Sequence, residues 1–235
     1  MHVPDGILPA QVSAVGYAIA TPFIGYALRT INRSTSPVEV NRTIPKAALL
    51  TATFFVASSL YIPIPPFGSV HLLMNGLLGA MLGYYAVPAI VIGLFFQALL
   101  IGHGGYLSLG INVLLMGIPA ILAHHIFQLR HRFLPRFNRQ TVYAVFGTLA
   151  GCIGILGSAL IFFGVVIMTI PADINAATER TAIYVLMLMH LPIALLEGAF
   201  TASFIVFLLR TKPELVERTG LRSPLPSPQK QAEQG

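Results

Sequence analysis

The 235-residue chain is too apolar and too poor in charge to be a soluble protein. Hydrophobic residues make up 55% of it and charged residues 9%, whereas soluble domains carry about 25% charged residues. The same composition excludes a disordered chain, which would be rich in charge. The net charge of +6 does not indicate nucleic-acid binding, because the basic residues stand in short strips between long apolar runs. The composition therefore predicts an integral membrane protein surrounded by lipid.

Seven apolar stretches follow one another, each close to the ~20 residues that a membrane-spanning helix needs. They lack two-residue alternation, which favours helices over strands. They cover about 8–29, 45–62, 71–87, 88–106, 109–129, 141–170 and 181–209. The third and fourth join around Tyr84–Pro88 without a polar loop, and six spans result if one stretch enters the membrane without crossing it. We predict an all-α bundle of about seven transmembrane helices over residues 1–210, followed by a disordered cytoplasmic tail over 211–235.

The basic residues predict the orientation of this bundle. Thirteen of the fourteen lie in three strips: between the first two stretches, between the fifth and sixth, and in the tail. Lys and Arg concentrate in the cytoplasmic segments of membrane proteins, so we expect all three strips in the cytoplasm. With seven spans the N-terminus then lies outside and the C-terminus lies in the cytoplasm.

Histidine is the residue type that offers chemistry, since the chain has no P-loop, GxSxG, HExxH or CxxC motif. At the N-terminus, the Met1 amine, the His2 amide nitrogen and the His2 Nδ1 can close a five-membered and a six-membered chelate ring around one metal ion. These nitrogens are nearly coplanar and leave one corner of a square, a geometry that suits Ni(II) or Cu(II). The alternative is a frayed terminal histidine without a ligand.

Further polar residues are spread over the later stretches. His71, at the outer start of the third stretch, is either a metal-site residue or an interfacial imidazole bonded to a backbone carbonyl. Asn75 follows one helical turn later, where it would orient the His71 ring. His103 lies in an outer Gly-rich turn. Two interpretations fit it equally: a role on the path of the metal, and an ordinary polar residue of a turn. His190 and Glu197 lie two helical turns apart on one face and are expected to form a structural or metal-supporting pair.

Four segments together resemble the CbiM/NikM family, whose members are substrate-capture membrane subunits of energy-coupling-factor ABC transporters for cobalt and nickel. The segments are MHVPDG at Met1–Gly6, SVHL and NGLLG within Ser69–Gly79, GHGG and LGIN within Gly102–Asn112, and HLP with EG within His190–Gly198. The resemblance implies that the Met1 amine, the His2 amide and imidazole nitrogens and the His71 imidazole hold Co(II) or Ni(II) in a square plane.

The resemblance also implies a transport component of the bacterial or archaeal cytoplasmic (inner) membrane, without enzymatic activity of its own. Its partners would be a transmembrane coupling subunit, cytoplasmic ATPase subunits and often a small accessory membrane subunit. Co(II) or Ni(II) would be the transported substrate, with no organic cofactor. The sequence does not distinguish cobalt from nickel. The alternative function is an integral-membrane metalloenzyme or a metal sensor, with a site made of His71, His103, His190 and Glu197.

Overall fold

The computed structural model describes residues 2–34, 37–64, 68–169 and 176–217. Most of these residues are helical, as predicted. The helices are α1 (Ala10–Ser34), α2 (Pro37–Ser59), α3 (Asn75–Leu82), α4 (Ala86–Ile101), α5 (Leu109–Gln128), α6 (Arg130–Phe133), α7 (Arg139–Thr169), α8 (Ala176–Thr211) and α9 (Glu214–Glu217), with a 3-10 turn at Gly83–Tyr85. Between α2 and α3 lies an antiparallel hairpin of β1 (Tyr61–Ile64) and β2 (Gly68–His71), in which Tyr61 pairs with His71. The sequence did not predict this hairpin.

Four segments of the described chain are long and apolar enough to cross a membrane. They are Asn75–Ile101, Leu109–Phe133, Arg139–Thr169 and Tyr184–Thr211. Their length and hydropathy support a membrane protein. The predicted total of seven crossings, and the predicted sides for the two termini, stay predictions.

The apolar segment Asn75–Ile101 reverses direction near its middle. A straight helix of its 27 residues would be about 40 Å long. However, the rings of His71, just before the segment, and His103, just after it, have centroids only 4.8 Å apart. The few extended residues that follow His71 can bridge only about 14 Å. The chain must therefore turn back, and it does so at the 3-10 turn Gly83–Tyr85, next to the boundary predicted at Tyr84–Pro88.

Helix α5 lies at the centre of the bundle, with two thirds of its apolar span buried. It packs against α1, α3, α4 and α7, and α7 packs along α8. Glycines bring α3 close to its neighbours. A Cβ atom at Gly79 would overlap the carbonyl oxygen of Ala120 in α5, and one at Gly76 would lie 2.8 Å from the Cα of Gly151 in α7. These glycines have the packing role that small residues have between membrane helices.

The three basic strips meet at one end of the bundle. Lys46 of the first strip donates a hydrogen bond to the carbonyl oxygen of Leu215 (2.7 Å), which adjoins the tail strip. Arg210 of the tail strip donates to Oε1 of Gln140 (3.0 Å), next to the second strip. Helix α5, about 30 Å long for its 20 residues, separates this end from the N-terminal segment. Such a separation is what the positive-inside rule requires.

The folded body extends beyond the boundary predicted at residue 210. Helix α8 ends at Thr211, and α9 (Glu214–Glu217) follows after a short turn. Val216 is fully buried, so the apolar residues of α9 pack on the bundle. The start of the predicted tail is therefore ordered, which corrects the boundary. The rest of the tail, residues 218–235, lies outside the described residues.

We expect Gly79→Ala to destabilise the bundle, because the new Cβ would force α3 away from the Ala120 carbonyl in α5. Overpacking of this kind costs about 1–3 kcal/mol. The measurement is the thermal midpoint in detergent, followed with a thiol-reactive dye that reports exposure of the partly buried Cys152. Gly25→Ala in α1 is the control, because a Cβ there would meet no atom within 4 Å. Equal midpoints for the two variants would contradict the role of Gly79.

Candidate metal centre

The N-terminal segment runs into the bundle. His2 is 8% and Val3 1% exposed. The Val3 N–H donates to Oδ1 of Asn112 in α5 (2.9 Å). The Val3 carbonyl oxygen accepts from the Asn112 amide nitrogen (3.0 Å) and from the hydroxyl of Ser108 (2.6 Å). Both polar groups of this buried residue are thus hydrogen-bonded, which holds the adjacent His2 in place. Met1 lies outside the described residues.

Asp5 attaches the same segment at a second point. Its carboxylate accepts hydrogen bonds from the backbone N–H groups of Ser108 (2.9 Å) and Leu107 (3.2 Å), just before α5. Slight desolvation favours a higher pKa for Asp5, but these hydrogen bonds outweigh it and hold the pKa below its ordinary value. The carboxylate occupies the space that a Cβ at Gly105 would need, so glycine permits this close contact. The chain turns at this point, with φ of 88° at Gly6.

Three imidazole rings meet where this segment enters the bundle. The ring centroids of His2 and His103 are 4.5 Å apart, those of His71 and His103 4.8 Å, and those of His2 and His71 5.6 Å. Nδ1 of His2 lies 3.1 Å from Nε2 of His103. One nitrogen of each ring lies within 4.8 Å of the other two, a spacing that can hold one metal ion. His2 and His71 are buried, and His103 is half-buried.

His71 is held in position by a break in the third apolar stretch. The chain stays non-helical for three residues after β2. The last of them, Met74, has φ of 52°, a left-handed conformation that is uncommon for a residue other than glycine. The carboxylate of Glu197 in α8 accepts hydrogen bonds from the N–H groups of Leu73 and Met74. It thereby satisfies backbone donors at the start of α3, which a helix cannot satisfy internally. Glu197 therefore stabilises the backbone that presents His71.

The expected pairing of His190 with Glu197 does not occur. Nδ1 of His190 donates to the carbonyl oxygen of Leu186 (2.7 Å), one turn earlier in α8. The Glu197 carboxylate instead accepts hydrogen bonds from the backbone before α3. The set predicted for an enzyme, which adds these two residues to His71 and His103, does not form a metal-binding group among the described residues. A place for His190 on the metal path stays a prediction.

Asn75 has partners other than the His71 ring that it was expected to orient. Its amide nitrogen donates to the carbonyl oxygens of Met116 in α5 and Gly154 in α7 (3.1 Å each) and to the hydroxyl of Ser158. Because the side chain points towards these two helices, it joins α3 to α5 and α7. Its contribution to the site is therefore to the packing behind His71.

Three buried polar residues outside the predicted set support the elements around the site. Asn112 and Ser108 hold the N-terminal segment. Gln97, fully buried in α4, donates from its amide to the hydroxyl of Ser58 (2.5 Å) and to the carbonyl oxygen of Phe55 (3.2 Å), both in α2. A signal was present, since an isolated amide in an apolar stretch is costly unless it is hydrogen-bonded. The sequence did not show which partners these amides would find.

The fold and the histidine cluster define a class of protein. A helical membrane protein with three imidazoles gathered at one end of its bundle has the donor set of a transition-metal site, since imidazole is a common ligand of nickel, cobalt and related ions.

Comparisons with known proteins give the family. Residues 2–215 match the CbiM family, described as the cobalt uptake substrate-specific transmembrane region. A relative from Haemophilus influenzae, whose name describes metal transport, is 30% identical over 219 residues and covers 93% of this chain and 98% of its own length. The fused nickel transport protein NikMN of Rhodobacter capsulatus is 30% identical over 227 residues, with 92% of this chain and 64% of that protein covered.

A solved structure agrees with these relatives. The crystal structure of a transition metal transporter superimposes with a TM-score of 0.72 at 26% identity, covering 90% of this chain and 93% of that one. The protein described here belongs to the CbiM family, as its sequence motifs predicted. It is thus a membrane component of cobalt or nickel transport, and a transporter rather than an enzyme.

We expect Asn112→Ala to loosen the N-terminal segment, because it removes two of the three hydrogen bonds to Val3. A buried polar group left without a partner costs about 1–3 kcal/mol, which corresponds to about 5–150-fold faster amide exchange. The measurement is hydrogen–deuterium exchange of the N-terminal peptide in detergent. Asn32→Ala, at an exposed position of α1, is the control. An unchanged exchange rate in Asn112→Ala would mean that this side chain does not hold the segment.

Proposed function

We propose that this protein is the substrate-binding subunit of an energy-coupling-factor ABC transporter that takes up Co(II) or Ni(II). The observation that carries the proposal is the buried position of His2, with its ring beside those of His71 and His103. The family description and the name of the nickel relative support the identity of the metal. The protein would lie in the cytoplasmic (inner) membrane of a bacterium or archaeon and bind the ion from the outer face.

The proposed ligands are four nitrogens. The Met1 amine, the His2 amide nitrogen and the His2 Nδ1 form the fused chelate rings, and the His71 imidazole fills the fourth corner. The amide and the amine must lose protons to bind the metal, so affinity falls as the pH falls. A square of nitrogens suits Ni(II), and the Irving–Williams order favours nickel over cobalt in such a site. Either ion, Co(II) or Ni(II), is a candidate substrate in this proposal.

Energy for transport would come from other chains. The sequence has no P-loop, so we assign ATP hydrolysis to cytoplasmic ATPase subunits. A transmembrane coupling subunit would transmit their movement, and a small accessory membrane subunit would complete the complex. The basic end of the bundle, which carries Lys46 and Arg210, lies opposite the histidine cluster. Metal capture outside and contact with the ATPases inside would therefore occur at opposite ends of the protein.

We expect acetylation of the Met1 amine to abolish high-affinity metal binding, because it converts the terminal amine into an amide, supplies no new amine and removes the first chelate ring. His2→Ala and His71→Ala should each weaken Ni(II) binding by at least about 100-fold, or about 2.7 kcal/mol. The measurement is titration of the purified full-length chain, begun at its native Met1, with Ni(II) and with Co(II).

The matched control is His125→Ala, which removes an exposed histidine near the far end of α5. It should leave the metal affinity unchanged. Full affinity in the acetylated chain would contradict the chelate. Such a result would favour a site that does not use the amine, as the metalloenzyme alternative requires.

We expect uptake of radioactive nickel or cobalt only in cells that produce this chain together with its coupling subunit and active ATPases. The physical reason is that binding alone cannot drive accumulation. The measurement compares active ATPases with ATPases whose P-loop lysine is replaced. Accumulation that does not depend on the ATPases would contradict the proposed complex, and metal binding without any uptake would favour a metal sensor.

A further inference from the structure

We propose that His103 is a direct fifth ligand of the bound ion, above the plane of the four nitrogens. This inference rests on the proposed function, since it adds one donor to that site. The implied square plane uses His2 and His71 and leaves His103 without an assigned contact to the metal. The structure nevertheless places the His103 ring nearer to each of those two rings than they are to one another.

The distance between donor atoms fits two ligands of the same ion. Nε2 of His103 lies 3.1 Å from Nδ1 of His2. Two nitrogens that bind one metal at about 2.0–2.1 Å lie about 2.9 Å apart at a right angle and about 4.1 Å apart on opposite sides. The observed distance is close to the first value. His103 therefore stands where an adjacent ligand stands, not where a ligand on the opposite side would be.

The four proposed nitrogens already occupy the corners of the plane. The position above the plane is therefore the one left for His103. In the chelate, the His2 Nδ1 and the His71 nitrogen occupy neighbouring corners. A donor adjacent to both must lie out of the plane, and the three imidazoles then form one face of the coordination shell. One nitrogen of each ring lies within 4.8 Å of the other two, so all three rings lie close enough to share one ion.

The loop that carries His103 is built to stay against His2. Gly102 and Gly104, on either side of it, have φ of 64° and 81°, which side-chain-bearing residues rarely adopt. A Cβ at Gly104 would lie 3.8 Å from the Cβ of His2. The His103 N–H donates to the carbonyl oxygen of Gln97 (3.2 Å), which ties the loop to the end of α4. The position of His103 is therefore set by the backbone of its own loop.

The competing explanation is a hydrogen bond between the two rings, because 3.1 Å also suits an N–H donor and a nitrogen acceptor. The two explanations differ in the electronic state of bound nickel. Ni(II) held by four nitrogens in a plane is diamagnetic. A fifth nitrogen above the plane favours the paramagnetic state and lengthens the bonds in the plane, which would ease release of the ion.

The test uses the purified full-length chain with its native N-terminus, loaded with one equivalent of Ni(II). We expect the wild-type complex to be paramagnetic by the NMR shift method and five-coordinate by X-ray absorption, with three imidazoles in the scattering pattern. His103→Ala should still bind one Ni(II) but lose the paramagnetism and give the edge feature of a square-planar complex. Free imidazole added to His103→Ala should restore the paramagnetic state, and His125→Ala should behave as wild type.

Diamagnetic wild-type nickel with a four-coordinate edge, unchanged in His103→Ala, would overturn the proposal and leave only the hydrogen bond. The wild-type measurement decides this even if the variant does not fold. If the wild-type chain binds neither Ni(II) nor Co(II), or binds them equally well when the Met1 amine is acetylated, the proposed function fails instead. The two failures are therefore distinguishable.

Discussion

Each buried peptide group in an apolar bundle needs a hydrogen-bond partner, and this constraint controls where the N-terminal segment lies. Non-helical backbone is tolerated at membrane depth only where protein groups satisfy it. Val3 meets that condition because Asn112 and Ser108 bind both of its peptide groups. Without those two side chains the segment would be driven into water, and His2 would leave the other imidazoles. The histidine cluster thus depends on a few polar atoms of α5 and the residue before it.

The second non-helical region follows the same rule. The chain between β2 and α3 has unpaired N–H groups at Leu73 and Met74, and Glu197 supplies the acceptors for both. This break shortens the helical part of the third apolar stretch and lets the chain reverse at Gly83–Tyr85. Because of this reversal, α4 ends at the same end of the bundle at which α3 begins. His71 and His103, which lie 32 positions apart in the sequence, therefore meet beside the N-terminus.

Helix α5 connects these regions. It carries Asn112, it lies against the glycines of α3, and it accepts the Asn75 hydrogen bond at Met116. Its other end adjoins the basic strips. A displacement of α5 would act on the N-terminal segment and on the helix that follows His71 together. This helix therefore links the proposed metal ligands to the opposite end of the bundle.

The sequence alone determined the protein class, the helical fold and the candidate ligands at His2 and His71. Hydropathy depends on composition over about 20 residues, and a chelate at the chain terminus depends only on covalent neighbours. Both are local properties. The motif at Met1–Gly6, combined with three later segments, was specific enough to indicate the family that the comparisons then established.

The tertiary structure decided which hydrogen-bond partner each polar side chain has. The expected pair of His190 and Glu197 does not form, because each side chain bonds to a backbone group instead. The role of Asn112 required a contact with Val3, 109 positions away, and no local pattern encodes such a contact. The position of His103 required the chain to fold back between α3 and α4. Sequence periodicity places a residue on a face of its own helix, but only packing determines what that face meets.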